Sequence, residues 1–114
     1  MKNNKELVIL AGKSSGKGGG GPTIVSVDGT SPEITPANNT LYNCGTLVSL
    51  TVSDPPSAGA YAIIFTSGST PTQTTIPATI LGLEDFAAEA NTMYEINVLD
   101  NRAVVGSWAV SSGE

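Results

Sequence analysis

From Asn38 to Trp108 the chain is a train of short β-branched segments. Gly, Pro, Asp and Asn cut it at intervals of about ten residues. Segments this short cannot pair within themselves, so their apolar faces must be buried by packing one sheet on another. The sequence holds no His and a single Cys, so few side chains with reactive chemistry interrupt the pattern. Thirteen Thr and twelve Ser in 114 residues suit hydroxyl-bearing strands better than salt-bridged helices.

Thr23–Val27 reads as a strand closed by the turn pair Asp28-Gly29. Pro32, Pro36, Asn38 and Asn39 make the following stretch a loop or irregular edge. From Leu47 to Val52 the residues alternate, which assigns Val48, Leu50 and Val52 to one face and Leu47, Ser49 and Thr51 to the other. Ala60–Thr66 is apolar on both faces, with Tyr61, Ile63 and Phe65 opposing Ala62 and Ile64; such a strand is central in a sheet or covered by a partner. A shorter strand follows at Gln73–Ile76. Met93–Leu99 and Ala103–Val110 form a hairpin around Asp100-Asn101-Arg102, with Tyr94, Ile96 and Val98 buried and Trp108 as the largest apolar anchor. Leu83–Asn91 is the one helix-compatible stretch and predicts one or two turns. The expected fold is all-β: a small antiparallel β-sandwich or barrel, with an extended N-terminal arm and at most one short helix.

Residues 1–22 differ from the rest. The apolar strip Leu7, Val8, Ile9 and Leu10 is followed by a Gly/Ser/Lys tract ending in four glycines and Pro22. Such a tract cannot bury apolar surface, so the expected organisation is a flexible arm over 1–22 and a β-sandwich module over 23–114. The strip is then either a sticky, partner-anchoring tip or an edge strand folded back on its own module.

The same stretch, Ala11-Gly12-Lys13-Ser14-Ser15-Gly16-Lys17-Gly18, imitates a phosphate-binding loop. It fails on spacing, because three residues rather than four separate the glycines. Gly18 also stands where the magnesium-binding hydroxyl belongs, and the glycines with Pro22 oppose the helix that should follow.

Other chemistries are weakly served. A net charge of −5 opposes phosphate backbones, which excludes nucleic acid as an expected partner. Without His, His-based triads and most zinc sites are out of reach, and Cys44 has no His to activate it. Asp28, Asp54 and Asp100 fall at turns, where Asp caps backbone amides, rather than in a calcium loop. No cofactor, metal or catalytic residue is expected. No apolar run reaches the roughly 20 residues of a bilayer span, and the Leu7–Leu10 strip is too short for a signal peptide. A lone cysteine suits folding in a reducing cytoplasm.

Three phrases occur in order: Asn39-Thr40-Leu41-Tyr42-Asn43-Cys44-Gly45-Thr46-Leu47 with Ser49-Leu50-Thr51-Val52; Ile64-Phe65-Thr66-Ser67-Gly68-Ser69-Thr70-Pro71-Thr72; and Glu89-Ala90-Asn91-Thr92-Met93-Tyr94-Glu95-Ile96-Asn97-Val98, closed by Val105-Gly106-Ser107-Trp108. In these phrases the chain resembles the C-terminal β-sandwich module of tailed-bacteriophage virion surface proteins. The resemblance implies a non-enzymatic structural protein, often trimeric, folded in the host cytoplasm and displayed on the virion. The short chain suits a capsid decoration or head-fibre protein docked on the major capsid protein or another virion protein through Leu7, Val8, Ile9 and Leu10. The alternative is a tail-fibre or carbohydrate-binding module that touches a host surface glycan.

Overall fold

The computed structural model describes residues 23–53 and 59–110. Among the described residues, eight strands follow one another: β1 (Thr23–Val27), β2 (Glu33–Ile34), β3 (Thr40–Leu47), β4 (Ser49–Val52), β5 (Ala60–Ser67), β6 (Gln73–Thr75), β7 (Thr92–Leu99) and β8 (Arg102–Ala109). They form a five-stranded sheet in the order β1-β3-β5-β7-β8 and a three-stranded sheet in the order β2-β4-β6. The two sheets share one apolar core, so the all-β sandwich expected from the segment pattern is the fold.

The strand directions differ from the expectation. β1, β3 and β5 run parallel, as do β2, β4 and β6, and antiparallel pairing is confined to β5–β7 and β7–β8. The chain passes from one sheet to the other after each of its first six strands, so β1–β2, β3–β4 and β5–β6 stack as three rungs. Corners stack with them: the Val48 amide donates to the Thr30 carbonyl at 2.7 Å, and the Gln73 amide to the Val48 carbonyl at 2.9 Å. Segment lengths and polar punctuation are the same for a meander and for stacked rungs, which is why the pairing direction was not legible in them.

The turn into the second sheet also corrects a facing assignment. Leu47 ends β3 fully buried, the chain bends at Val48, and Leu50 and Val52 then point inward from β4. Val48 is therefore exposed on the corner and Leu47 buried, the reverse of simple alternation. A bulge assists: between Asn43 and Thr46, β3 carries one residue more than β5, which lets Cys44 and Leu47 both face the core.

β5 is central, as its two-sided apolar sequence requires. Tyr61, Ile63 and Phe65 face the core, while Ala60 and Ala62 are buried on the opposite face beside Leu41. β7 supplies Tyr94, Ile96 and Val98 to the core as expected. The β7–β8 loop is two residues, Asp100 and Asn101, both with positive φ (51° and 63°), the geometry of a type I′ turn. Trp108 does not anchor the core: it is half-buried, paired with Met93 on the sheet's outer face.

No helix forms between Leu83 and Asn91; the segment makes one turn, with the Phe86 amide 3.2 Å from the Leu83 carbonyl. Tertiary bonds hold it extended instead. The Glu89 amide donates to the Tyr94 hydroxyl at 2.7 Å, the Asn91 amide donates to the Gly68 carbonyl at 2.8 Å, and Leu83 inserts into the core; just before the segment, the Leu81 amide donates to the Asn101 carbonyl and the Ala103 amide to the Leu81 carbonyl, both at 2.8 Å.

The strips that enter β3 and β7 are built alike, and this repeat was not anticipated. Asn39 (φ 60°) and Asn91 (φ 54°) take the left-handed conformation that Asn tolerates. Each is followed by a Thr whose hydroxyl donates two residues back, to Asn38 (3.1 Å) and to Ala90 (2.9 Å). Two residues further on, a Tyr hydroxyl accepts a backbone amide: Tyr42 from Ala37 at 2.9 Å, Tyr94 from Glu89 at 2.7 Å. The signal was present as Asn-Thr-x-Tyr at 39–42 and 91–94.

Candidate interaction face

Between the sheets there is little chemistry to find. Burial pushes the Cys44 thiol up to about 11, so it stays protonated at neutral pH and is a poor nucleophile. Burial, reinforced by neighbouring Tyr42, pushes the Tyr61 phenol up to about 12, and its hydroxyl has no hydrogen-bond partner among the described residues. Three aromatics close the core beside it, with Phe65 stacked on Tyr94 at 5.3 Å and Phe86 edge-on to Tyr94 at 5.1 Å. Ser67 and Thr72 form a buried clasp: the Thr72 amide donates to the Ser67 hydroxyl, and the Thr72 hydroxyl donates to the Leu47 carbonyl at 2.7 Å. These groups satisfy one another and hold the β5–β6 corner. Among the described residues, no three His, Cys, Asp or Glu side chains come together as a metal site.

The outer face of the five-stranded sheet is different. Register and pleat place Ile24 of β1, Leu41 of β3, and Met93 and Leu99 of β7 on it, with Val104 and Trp108 of β8. Ile24 is 64 % exposed, Val104 60 %, Leu99 41 % and Met93 38 %. Its strand positions carry two ionisable side chains, Glu95 and Arg102; Asp28, Glu84, Asp85 and Glu89 lie on connections instead. An outward sheet face is ordinarily polar, because half of each strand meets water. Here it is mostly apolar.

At its centre two polar side chains are buried. Glu95 is 2 % and Asn97 4 % exposed, and the Asn97 amide nitrogen donates to Glu95 Oε2 at 3.2 Å. That bond commits the amide's orientation and leaves Asn97 Oδ1 buried without a partner. Gly106 stands opposite Glu95 in the β7–β8 pairing, so no side chain projects there from β8. Toward the hairpin lies a concavity of about 240 Å³ lined by Asn97, Val98, Leu99, Asp100, Arg102 and Val104, apolar on most of its wall.

Of the residues singled out in the sequence, Leu7, Val8, Ile9 and Leu10 lie outside the described residues. The sequence flagged only the Ala60–Thr66 part of the outer face, as a strand apolar on both sides and so central or covered by a partner; the rest was missed. Its signal was the two-sided apolar character of β5 and β8, where Ile64 and Val104 alternate with core residues.

No protein-family model, no curated protein and no solved structure matches the chain, so its assignment rests on residues and geometry alone.

Proposed function

We propose that this chain is a non-enzymatic structural protein of a bacteriophage virion surface, a capsid decoration or head-fibre protein that works by contact. The phrases at 39–52, 64–72 and 89–108 support the viral setting. The observation that carries a contact role is the set of exposed apolar side chains on the outer face of the five-stranded sheet, Ile24, Met93, Leu99 and Val104, in a chain of net charge −5; Ala60, Ala62, Glu95 and Asn97 on the same face are buried. Burying such a face against the major capsid protein or a sister subunit contributes roughly 25 cal/mol per Å² of apolar surface, multiplied over many copies. Attachment through Leu7–Leu10 is the competing arrangement.

Particles lacking the protein, incubated with purified chain, separate the two. The paired change Leu99→Glu and Val104→Glu is expected to abolish particle binding, while a chain lacking residues 1–22 retains it. Undiminished binding by the double variant sinks the role of the face. Trimeric assembly, which the same resemblance implies, is read by light scattering as three chains per particle.

A second reading has its own observation. The concavity at the hairpin sets Asp100, Arg102 and Asn97 beside the apolar walls of Leu99 and Val104, a mixture that suits a sugar ring of a host glycan. A glycan array tests it, with Arg102→Ala expected to lose any signal.

A further inference from the structure

Asp28-Gly29 follows β1 directly, and it is the one place in the sequence where Asp or Asn precedes Gly. Both residues are exposed and lie outside the strands. Gly29 holds φ +89°, and a Cβ built on it would meet nothing within 4 Å. Without that Cβ, Gly reaches the left-handed conformation at no steric cost and leaves its amide open to approach. Turn Asp side chains ordinarily accept a nearby backbone amide. Among the described hydrogen bonds, neither the Asp28 carboxylate nor the Gly29 amide takes part.

The same two groups are restrained elsewhere in the fold. Asn39, Asn91 and Asn101 precede Thr40, Thr92 and Arg102, which begin β3, β7 and β8, so the following amide belongs to a strand. Asp85 precedes Phe86, whose amide is committed to the Leu83 carbonyl at 3.2 Å. Only at Asp28 are a carboxyl group and the next amide adjacent, exposed and uncommitted.

We propose that Asp28 is a site of spontaneous covalent modification, converted to isoaspartate through a cyclic imide with Gly29. The Gly29 amide nitrogen attacks Asp28 Cγ and forms a second N–C bond. One carboxylate oxygen leaves as water, carrying the amide proton and a proton from solvent. Water then adds to either imide carbonyl and breaks one of the two N–C bonds. Breaking the bond to Cγ restores Asp. Breaking the bond to the backbone carbonyl carbon leaves Gly29 attached through Cγ, and the old backbone carbonyl becomes the free carboxylate. Net charge is unchanged, and the main chain is longer by one carbon.

That carbon enters where the first corner is tied. Val27 pairs with Cys44 just before it. Just after it, the Thr30 carbonyl accepts the Val48 amide at 2.7 Å and the Ser49 amide at 3.1 Å. Lengthening the chain between these ties loosens the stacking of the first rung on the second. The exposed product also presents the group that isoaspartyl methyltransferases esterify, which names the class of enzyme that would act on it. None of this rests on the proposed function, because the readout is a covalent bond.

The folded full chain is held for several weeks at neutral pH and body temperature, beside the same chain in denaturant. Isoaspartate is counted by methyl transfer from S-adenosylmethionine and located by peptide mapping. The folded chain is expected to form it at residue 28 within about tenfold of the unfolded rate, because an open turn reacts without unfolding. Asp28→Glu, which would need a six-membered ring, is expected to abolish the signal. Asp28→Asn, which expels ammonia instead of water, is expected to raise it. Formation more than about tenfold slower in the folded chain, or none at residue 28, overturns the proposal. An undiminished signal in Asp28→Glu overturns it too, because it places the reaction elsewhere. In the modified protein the Val48 and Ser49 amides are expected to exchange faster while those of β7–β8 do not change; equal exchange overturns the link to the corner.

Discussion

Three buried tyrosines show how far burial alone is from stability. Tyr42 and Tyr94 each accept a backbone amide, while the Tyr61 hydroxyl is buried with none. Replacing Tyr42 or Tyr94 with Phe strands that amide and is expected to cost about 1–2 kcal/mol in denaturant unfolding. Tyr61→Phe removes an unsatisfied hydroxyl and is expected to be neutral or slightly stabilising. A loss above about 1 kcal/mol there would mean the hydroxyl has a partner.

The same burial sets a pH dependence. Cys44 is raised from its usual 9.0 to about 11, and Tyr61 from 10.0 to about 12, so the fold favours both neutral forms. Their contribution to stability is complete below the unfolded values and is lost as pH climbs through the folded ones. Thermal unfolding is therefore expected to shift to lower temperature between pH 9 and 12, less so in a Cys44→Ala, Tyr61→Phe double variant. Equal alkaline sensitivity in parent and variant would point to other groups. Cys44 is also expected to resist alkylation until the chain is unfolded.

Among the elements, turns and connections divide into those that local residues dictate and those that packing dictates. The Asp100-Asn101 turn belongs to the first kind. Asn101 holds a left-handed φ at a small steric cost, so Asn101→Gly is expected to be neutral to about 0.5 kcal/mol stabilising, and Asn101→Val destabilising by more than about 1 kcal/mol. Calorimetry of both variants checks the order. Gly82 belongs to the second kind. It has φ +99°, and a Cβ there would lie 2.7 Å from the Ala103 carbonyl oxygen. Gly82→Ala is expected to cost about 1–3 kcal/mol and to loosen the Leu81 bridge to β8, visible as faster exchange of the Ala103 amide.

Helix propensity in Leu83–Asn91 loses for the same reason: the bonds of the Glu89 amide to the Tyr94 hydroxyl and of the Asn91 amide to the Gly68 carbonyl, with the insertion of Leu83, outweigh one or two helical turns. The doubled Asn-Thr-x-Tyr strip is the opposite case. It is a purely local signal, present twice, that a search for self-similarity would have found.

In the whole molecule, the two faces of the five-stranded sheet do different work. Phe65→Ala on the inner face opens a cavity at a fully buried site and is expected to cost about 3–5 kcal/mol. Val104→Glu on the outer face, at 60 % exposure, is expected to change unfolding by less than about 0.5 kcal/mol while altering association. A matching loss of stability from Val104→Glu would make the outer face structural and remove it as a contact surface.

The sequence by itself determined the class of the fold, the positions of most strands, a hairpin turning at Asp100-Asn101-Arg102, the inward face of β7 and the two-sided apolar character of β5. Each follows from a period or a turn that a few neighbouring residues specify. Only the tertiary structure decided which strands run parallel, where the chain crosses between sheets at Val48, and that Trp108 looks outward. Those choices depend on residues distant in the chain meeting across a rung, as Ile24 meets Leu41 and Leu50 meets Thr74, and alternation within a strand is blind to its partner.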